Sequence, residues 1–390
     1  MAPVLNTQAE YLQKSANDID YSIKQQIAIF SEARKVIAQI NDGIVNLTNI
    51  ADELNRGFNL KIALITDAWH PQINGIVTTV QNTCRELKTL GHTVKLITPC
   101  DFRTWPCPGY PDVRLAFLCG PRLRPILKAF KPDAVHLVTE GCVGFAARRY
   151  CRQKRINYST SFHSRYPEYL KERVGFPLAV TNGYLRWFHS KSCHVMVSTE
   201  SLGAELMGKG YRNVVRWSLG VDTDHFRPRQ KSFIQDKRPI FLYAGRVAVE
   251  KNVEHFLQLD LPGTKYVVGD GPQRSELEKR YPNVHFTGFQ QGEVLASFMA
   301  AADCFVFPSL TDTFGLVALE SLACGVPVAA YPVQGPKDIL RDNRVGVLGK
   351  DLKQAAIKAL ELDPQHCRTY ALQYTWPSCT RQFVDNLIVT

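Results

Sequence analysis

Two acids and two cations in the second half of this 390-residue sequence stand at spacings that suit a phosphorylated ligand. Asp312 and Glu320 lie in the segment Phe307 to Val328, FPSLTDTFGLVALESLACGVPV, with seven residues between them. An apolar run, Cys304 to Phe307, stops at Pro308; a polar loop follows, and Leu316 to Ala323 repeats apolar residues at helical spacing before Gly325 and Pro327 end it. Strand, loop and helix in that order leave unpaired backbone N–H groups and positive dipole potential around Phe314, Gly315, Leu316 and Val317, where phosphate is favoured. Gly315 lets the backbone come close. One acid can then face a sugar hydroxyl while the other, about two turns into the helix, meets a ribose. The same residues also fit a plainer account: Asp312 caps the helix with Thr313, Glu320 is a solvated helical residue, and Gly325 is the C-cap.

Arg246 and Lys251 occur in GRVAVEKN, after the apolar run PIFLYA and a glycine. Their spacing of five lets both converge on a diphosphate, the Arg as a planar fork and the Lys as a point charge. Two further candidates lie in the first half. Gly75, in DAWHPQINGIV, precedes a helical stretch and can bring backbone near a phosphate or simply serve the turn. His163 follows the apolar run YSTSF beside Arg165; its imidazole can bond a sugar hydroxyl or steady a leaving group, or act as a structural hydrogen-bonder.

Elements that would position these residues recur along the chain. From Leu60, apolar runs alternate with amphipathic helices: LKIALIT, VTTVQNTCRELKTLG, HTVKLIT, DAVHLV, and again from Pro239. That rhythm predicts an α/β fold with parallel sheets covered on both faces and ligands at the carboxyl ends of the strands. The length suits two Rossmann-like domains plus an addition. We divide the chain into a helical N-terminal extension at 1–57, a first Rossmann-like domain at 58–228 with the linker in SLGVDTDHFRPRQKS, a second at 229–372, and a terminal helix at 373–390 that packs back on the first domain.

Within the extension, apolar residues from Ile23 to Phe58 recur at three-four spacing, an apolar stripe for a long helix or hairpin. Its polar face carries little Lys or Arg, so packing on the protein or self-association fits better than an anionic membrane. Formal charge is +11 overall. Residues 114–173 alone hold 13 Lys/Arg against 4 Asp/Glu, a face suited to lipid headgroups, nucleic acid or an acidic substrate. Tyr184, Trp187 and Phe188 beside Arg186 and Lys191 suit either a membrane interface or a core helix. No apolar window is long enough to cross a bilayer, and the N-terminus lacks the pattern of a secretory signal. Eleven scattered cysteines without zinc-type spacing indicate reduced thiols in a cytoplasmic protein.

In order along the chain, the Gly75 loop, His163, GRVAVEKN and the acid-x7-acid segment from Asp312 to Glu320 resemble the motifs of retaining glycosyltransferases of GT-B architecture, family 4. The resemblance covers about Leu60 to the C-terminus. TDAWHPQINGIV, HLVTEG, SFHSRYPEYL and GVDTDHF are similar to the bacterial branch that includes glycolipid synthases and mannosyltransferases. Asp312 stands where the family commonly has Glu, and residues 1–57 have no counterpart in the family pattern.

The resemblance implies a nucleotide sugar as donor, with no cofactor and no metal. Arg246 and Lys251 would neutralise its diphosphate, the Phe314–Val317 backbone would cap it, Glu320 would hold the ribose, Asp312 the sugar, and Gly75 would close from the other domain. Transfer would be front-face with retention, with His163 supporting the donor sugar. The Asp222-x-Asp224 pair in TDTDHF is read as incidental rather than as a metal motif. The expected acceptor is a membrane lipid such as diacylglycerol, reached through the basic face by an enzyme peripheral to the inner face of the cytoplasmic membrane. A soluble sugar or polysaccharide acceptor is the alternative. Nucleic acid is not expected as a partner, because no recognition-helix or zinc motif accompanies the charge.

Overall fold

The structure is a computed structural model that describes residues 59–390, apart from 73, 109, 164–170, 172–174 and 390. The extension at 1–57, with the self-association assigned to it, and Arg165 after His163 lie outside the described residues. Residues 60–390 form one compact unit.

Two six-stranded parallel sheets organise that unit, in agreement with the α/β expectation. The first comprises β1 (Lys61–Ile65), β2 (Thr93–Ile97), β5 (Ala134–Leu137), β6 (Ser159–Phe162), β7 (Val195–Val197) and β8 (Val214–Arg216), in the order β2-β1-β5-β6-β7-β8. The second comprises β9 (Ile240–Ala244), β10 (Thr264–Val268), β11 (His285–Gly288), β12 (Cys304–Phe307), β13 (Val328–Ala330) and β14 (Gly346–Leu348), in the order β11-β10-β9-β12-β13-β14. Strand direction of progress reverses between β1 and β5 in one sheet and between β9 and β12 in the other. Loops leaving the two sides of such a switch point diverge and open a crevice at the carboxyl ends of the strands.

The central strands read as unbroken apolar runs because both of their faces are covered. Ile62 to Ile65, Ile240 to Ala244 and Cys304 to Phe307 are buried throughout. Each buried Ile, Leu, Val or Phe among them contributes about 1.5–3 kcal/mol relative to exposure. One apolar cluster includes Ile62 and Leu64 of the first sheet, Leu242 and Phe305 of the second, and Phe383 of the final helix, so the two halves share core.

An antiparallel pair, β3 (Arg103–Cys107) with β4 (Tyr110–Phe117), stands apart from both sheets. The sequence reading did not anticipate it. Pro106 and Pro108 interrupt the apolar alternation there, and the pairing has an irregularity at Pro106/Cys107. The final helix, Trp376–Asp385, is capped by Thr375 and contacts the helix Gly75–Thr89. Gln382 accepts from Ser218 N at 2.7 Å, and the Phe383 ring lies 4.8 Å from Trp217 and 4.9 Å from His136.

Candidate active site

A cleft of about 1830 Å³ opens at the carboxyl ends of the strands. Gly75, His163, Arg246, Lys251, Asp312, Phe314, Gly315, Leu316, Val317 and Glu320 all line it. Residues drawn from four separate loops and two sheets are thus gathered around one space.

Arg246 and Lys251 leave the end of β9. Tyr243 Oη donates to the Arg246 carbonyl at 2.7 Å, and Lys251 closes a single 3-10 turn by donating its N–H to the Ala248 carbonyl. Asn252 Nδ2 donates to the Pro308 carbonyl at 3.1 Å, while Ser309 and Thr311 hydroxyls donate to the Glu250 carbonyl. These bonds tie the loop after β9 to the loop after β12. Both cations are engaged: Arg246 Nη2 is 2.6 Å from Asp112 Oδ2, and Lys251 Nζ is 2.6 Å from Asp312 Oδ2.

The helix Leu316–Ala323 begins where the spacing predicts, but Asp312 is not its cap. Gly315 holds the cap position at φ 92°, and no side chain caps the helix. Asp312 instead takes Thr313 N–H on Oδ1 at 3.0 Å and Lys251 on Oδ2. A Cβ at position 315 would sit 3.2 Å from Phe307 Cζ, so the left-handed turn and the close approach both require glycine. Ala318 N already donates to the Gly315 carbonyl at 2.9 Å, and no side chain caps the Leu316 and Val317 amides, which leaves the helix start suited to an anion. The helix Gly75–Thr89 differs: Asn74 Oδ1 already accepts from Ile76 N and Val77 N, each at 3.0 Å. Its start is a weaker phosphate cradle than the glycine suggested. Gly75 does face the other half, where a Cβ would lie 3.6 Å from Leu316 Cδ1.

Glu320 lies partly buried in the cleft wall, not on a solvated face, and burial pushes its carboxyl up to about 7. His163 follows β6; its carbonyl accepts from Thr313 Oγ1 at 2.6 Å, while Ser198 Oγ donates to the Thr313 carbonyl at 3.2 Å. Thr313 thereby bonds both β6 and β7 ends of the opposite sheet. The His163 ring meets Trp217 edge-on at 5.4 Å, and burial holds it down at about 4, so it is neutral at physiological pH. Among the described residues its buried Nε2 has no hydrogen-bond partner. A buried polar nitrogen beside a cleft is costly unless a ligand satisfies it.

Sequence reasoning missed five acids that line the same cleft, Asp67, Asp112, Glu140, Glu250 and Asp270. Asp67, after β1, accepts from Val143 N at 2.6 Å, Gly144 N at 3.1 Å and Thr139 Oγ1 at 3.0 Å. It thus caps the helix Cys142–Lys154 from across the switch point, where Gly141 supplies no cap. Burial pushes its carboxyl up to about 6 against the pull of those donors. Its signal was an acid directly after a buried strand, paired with a glycine pair at the next strand end. Glu140 lies 3.2 Å from His189 Nε2. Asp112 sits on the unanticipated hairpin and had no local signal. Asp222 lines the cleft as well, with Oδ1 accepting from His225 N at 3.0 Å.

Along one side of the cleft, the basic stretch folds into two contacting helices, Cys119–Phe130 and Cys142–Lys154, that expose Arg122, Arg124, Lys128, Arg149 and Arg152, of which Arg124 and Arg149 line the cleft itself. Phe188 is core, whereas Trp187 is 45% exposed with the Arg148 guanidinium 3.8 Å from its ring centre. Leu115, Phe117, Leu118 and Phe145 are exposed nearby, the Phe145 ring 6.0 Å from Trp187. Among the described residues, no helix is long and apolar enough to cross a membrane.

Comparison with known proteins gives a consistent result. A model of "Glycosyltransferase Family 4" matches residues 73–225, and one of "Glycosyl transferases group 1" matches residues 224–364. The chain is 30% identical over 308 residues to sulfoquinovosyl transferase SQD2 of Arabidopsis thaliana, covering 71% of this chain and 60% of that protein, so it spans less than two thirds of that relative. It is 27% identical over 317 residues to a GDP-mannose-dependent alpha-mannosyltransferase of Mycobacterium tuberculosis, 74% of this chain and 83% of the other. It is 26% identical over 352 residues to the alpha-monoglucosyldiacylglycerol synthase of Streptococcus pneumoniae, 78% of this chain and 79% of the other. Among solved structures, sucrose-phosphate synthase from Thermosynechococcus elongatus aligns with a TM-score of 0.68 at 22% identity, covering 84% of this chain and 98% of that one.

Proposed function

Because the chain belongs to the family 4 glycosyltransferases and has their two-domain GT-B fold, we propose that it moves a hexose from a nucleotide-diphosphate sugar to a hydroxyl of a membrane lipid such as diacylglycerol, with retention at the anomeric carbon. The observation that carries this reading is the uncapped helix start at Gly315, which lines the same cleft as Lys251 and Arg246. Amides and cations around one point are the arrangement that stabilises charge developing on a departing diphosphate.

In the proposed reaction the bond from C1 of the sugar to the phosphate oxygen breaks, and the acceptor oxygen bonds C1 on the same face. The acceptor proton passes to the departing phosphate oxygen. Arg246, Lys251 and the amides at the start of Leu316–Ala323 take up the leaving-group charge; Glu320 accepts from the ribose hydroxyls; Asp312 accepts from the donor sugar. His163, held neutral, offers Nε2 to a sugar hydroxyl and adds no positive charge beside a developing oxocarbenium ion. With leaving-group charge met by protein groups, we take the reaction as metal-independent.

Support for a lipid acceptor comes from one side of the cleft and the surface continuing from it, where exposed Leu115, Phe117, Leu118, Phe145 and Trp187 accompany Arg122, Arg124, Lys128, Arg149 and Arg152. Apolar side chains that insert and cations that meet anionic headgroups are the two signals of reversible membrane docking. The similarity to the alpha-monoglucosyldiacylglycerol synthase of Streptococcus pneumoniae supports the same acceptor class. On this reading the enzyme is peripheral on the inner face of the cytoplasmic membrane. The test is mass spectrometry of products from a panel of nucleotide sugars with diacylglycerol in anionic vesicles, alongside vesicle flotation at moderate salt. A glycosylated diacylglycerol and flotation are expected. Transfer only to soluble sugars, with no flotation, overturns the lipid acceptor.

A further inference from the structure

Arg246 is bound by the wrong half of the molecule. Its partner, Asp112, belongs to the β3–β4 hairpin of the first half, whereas Arg246 follows β9 in the second. Their 2.6 Å contact bridges the cleft, and neither side chain is well exposed, at 19% and 35%. A pair so placed is less screened than a surface pair. We propose that Asp112 is a positioning residue that stands in for a donor phosphate on Arg246, so that diphosphate binding must displace it and thereby release the hairpin.

Three features lead to this assignment, which rests on the donor reading above. First, a carboxylate and a phosphate oxygen offer the same acceptor geometry to a guanidinium, so the two anions compete for one fork. Second, a two-stranded hairpin is marginal on its own, and β3–β4 joins neither six-stranded sheet. Its base is held by Ala116, buried with Phe102 and Cys119 in the core of the first half, whereas the Asp112–Arg246 pair ties the Asp112 position to the opposite half. Third, the strand that carries Asp112 continues into Leu115 and Phe117, both exposed and both lining the cleft. Movement of Asp112 is transmitted directly to the apolar wall where a lipid acceptor would lie. Donor binding then precedes acceptor binding, and the apolar wall is set only after the diphosphate has arrived.

The experiment is calorimetric titration of the full chain with inorganic pyrophosphate, UDP and GDP, for wild type, Asp112→Asn, Asp112→Glu, Arg246→Gln and the Asp112→Asn/Arg246→Gln double variant. Asp112→Asn should tighten diphosphate binding by about 5- to 10-fold, the size of one partly shielded ion pair. Asp112→Glu should remain close to wild type, and the gain should vanish in the Arg246→Gln background. In steady-state assays Asp112→Asn should lower the donor KM with little change in kcat. Hydrogen exchange over residues 103–117 should rise when pyrophosphate is added to wild type and be high from the outset in Asp112→Asn. If wild type binds none of the three probes, the donor reading falls and this assignment with it. If wild type binds but Asp112→Asn binds equally or more weakly, the displacement alone is overturned and the donor reading stands.

Discussion

Lys251 Nζ and Asp312 Oδ2 lie 2.6 Å apart, and the second Asp312 oxygen is held by Thr313 N–H. The shorter acid is thus fixed by its own loop and by the neighbouring one. Its remaining lone pairs point from a defined position, which is what recognition of a sugar hydroxyl needs. Substituting Lys251→Ala removes a charge that the proposed transition state uses more than the ground state does. Turnover should fall by about 100- to 1,000-fold, with circular dichroism unchanged at assay temperature. Wild-type turnover in Lys251→Ala would remove Lys251 from the site.

Glu320 gives a pH-dependent signature without substrate. Burial pushes its carboxyl up to about 7 from the ordinary 4.5, so between those values the folded chain keeps a proton that the unfolded chain has lost. The native state then binds more protons, and ligand-free stability declines as pH rises through that window. Glu320→Gln should abolish this slope: thermal denaturation from pH 5 to 8 should show wild type losing ground to the variant with rising pH. Parallel curves would contradict the buried carboxyl. Turnover of Glu320→Ala should also drop by about 100-fold or more, as expected when a ribose hydrogen-bond partner is lost and the reacting centre shifts.

For His163 the sign is reversed. Burial holds the imidazole down at about 4 from 6.5, so the unfolded chain binds the extra proton between those values and stability is lost as pH falls through them. Activity should accordingly show no limb near 6.5 that disappears in His163→Gln. His163→Ala should cost about 100-fold in kcat, measured at saturating donor. A kcat limb at 6.5 abolished by the substitution would mean that His163 is charged in the working enzyme.

Much of this site was readable from the sequence because its residues follow buried strands, and buried parallel strands announce themselves as apolar runs. Arg246, Lys251 and the helix at Leu316 were found that way, and all of them line the cleft. Asp67 and Asp112 were not, since each acts on a group remote in sequence, Gly144 and Arg246 respectively. Local periodicity carries no information about such a partner. The plainer alternative for Asp312, a helix cap, does not hold, because the chain turns left-handed one residue before the helix and Gly315 takes the cap position.

Asp67 offers a test of the missed part. Asp67→Asn keeps one acceptor oxygen but turns an amide NH₂ toward N–H donors of Val143 or Gly144. Loss of at least one buried bond should cost about 1–3 kcal/mol of stability, read as a lower urea midpoint with an unchanged slope. An unaltered midpoint would mean that the cap on the helix Cys142–Lys154 is dispensable.

Metal independence is checked by dialysis against EDTA. Turnover should stay within about two-fold of the untreated enzyme if cations and amides of the protein meet the leaving-group charge. A loss restored by Mg²⁺ or Mn²⁺ would assign that charge to a metal.

The helix Trp376–Asp385 places Phe383 against Trp217 and His136. On a ribosome the first sheet emerges early, yet that aromatic contact is made only after the whole second half has been synthesised. An N-terminal domain usually finishes folding before its successor appears, and here one of its core contacts arrives last. The first half completes this part of its core only with the last helix in place, and a chain ending before Phe383 is expected to leave Trp217 and His136 without that ring.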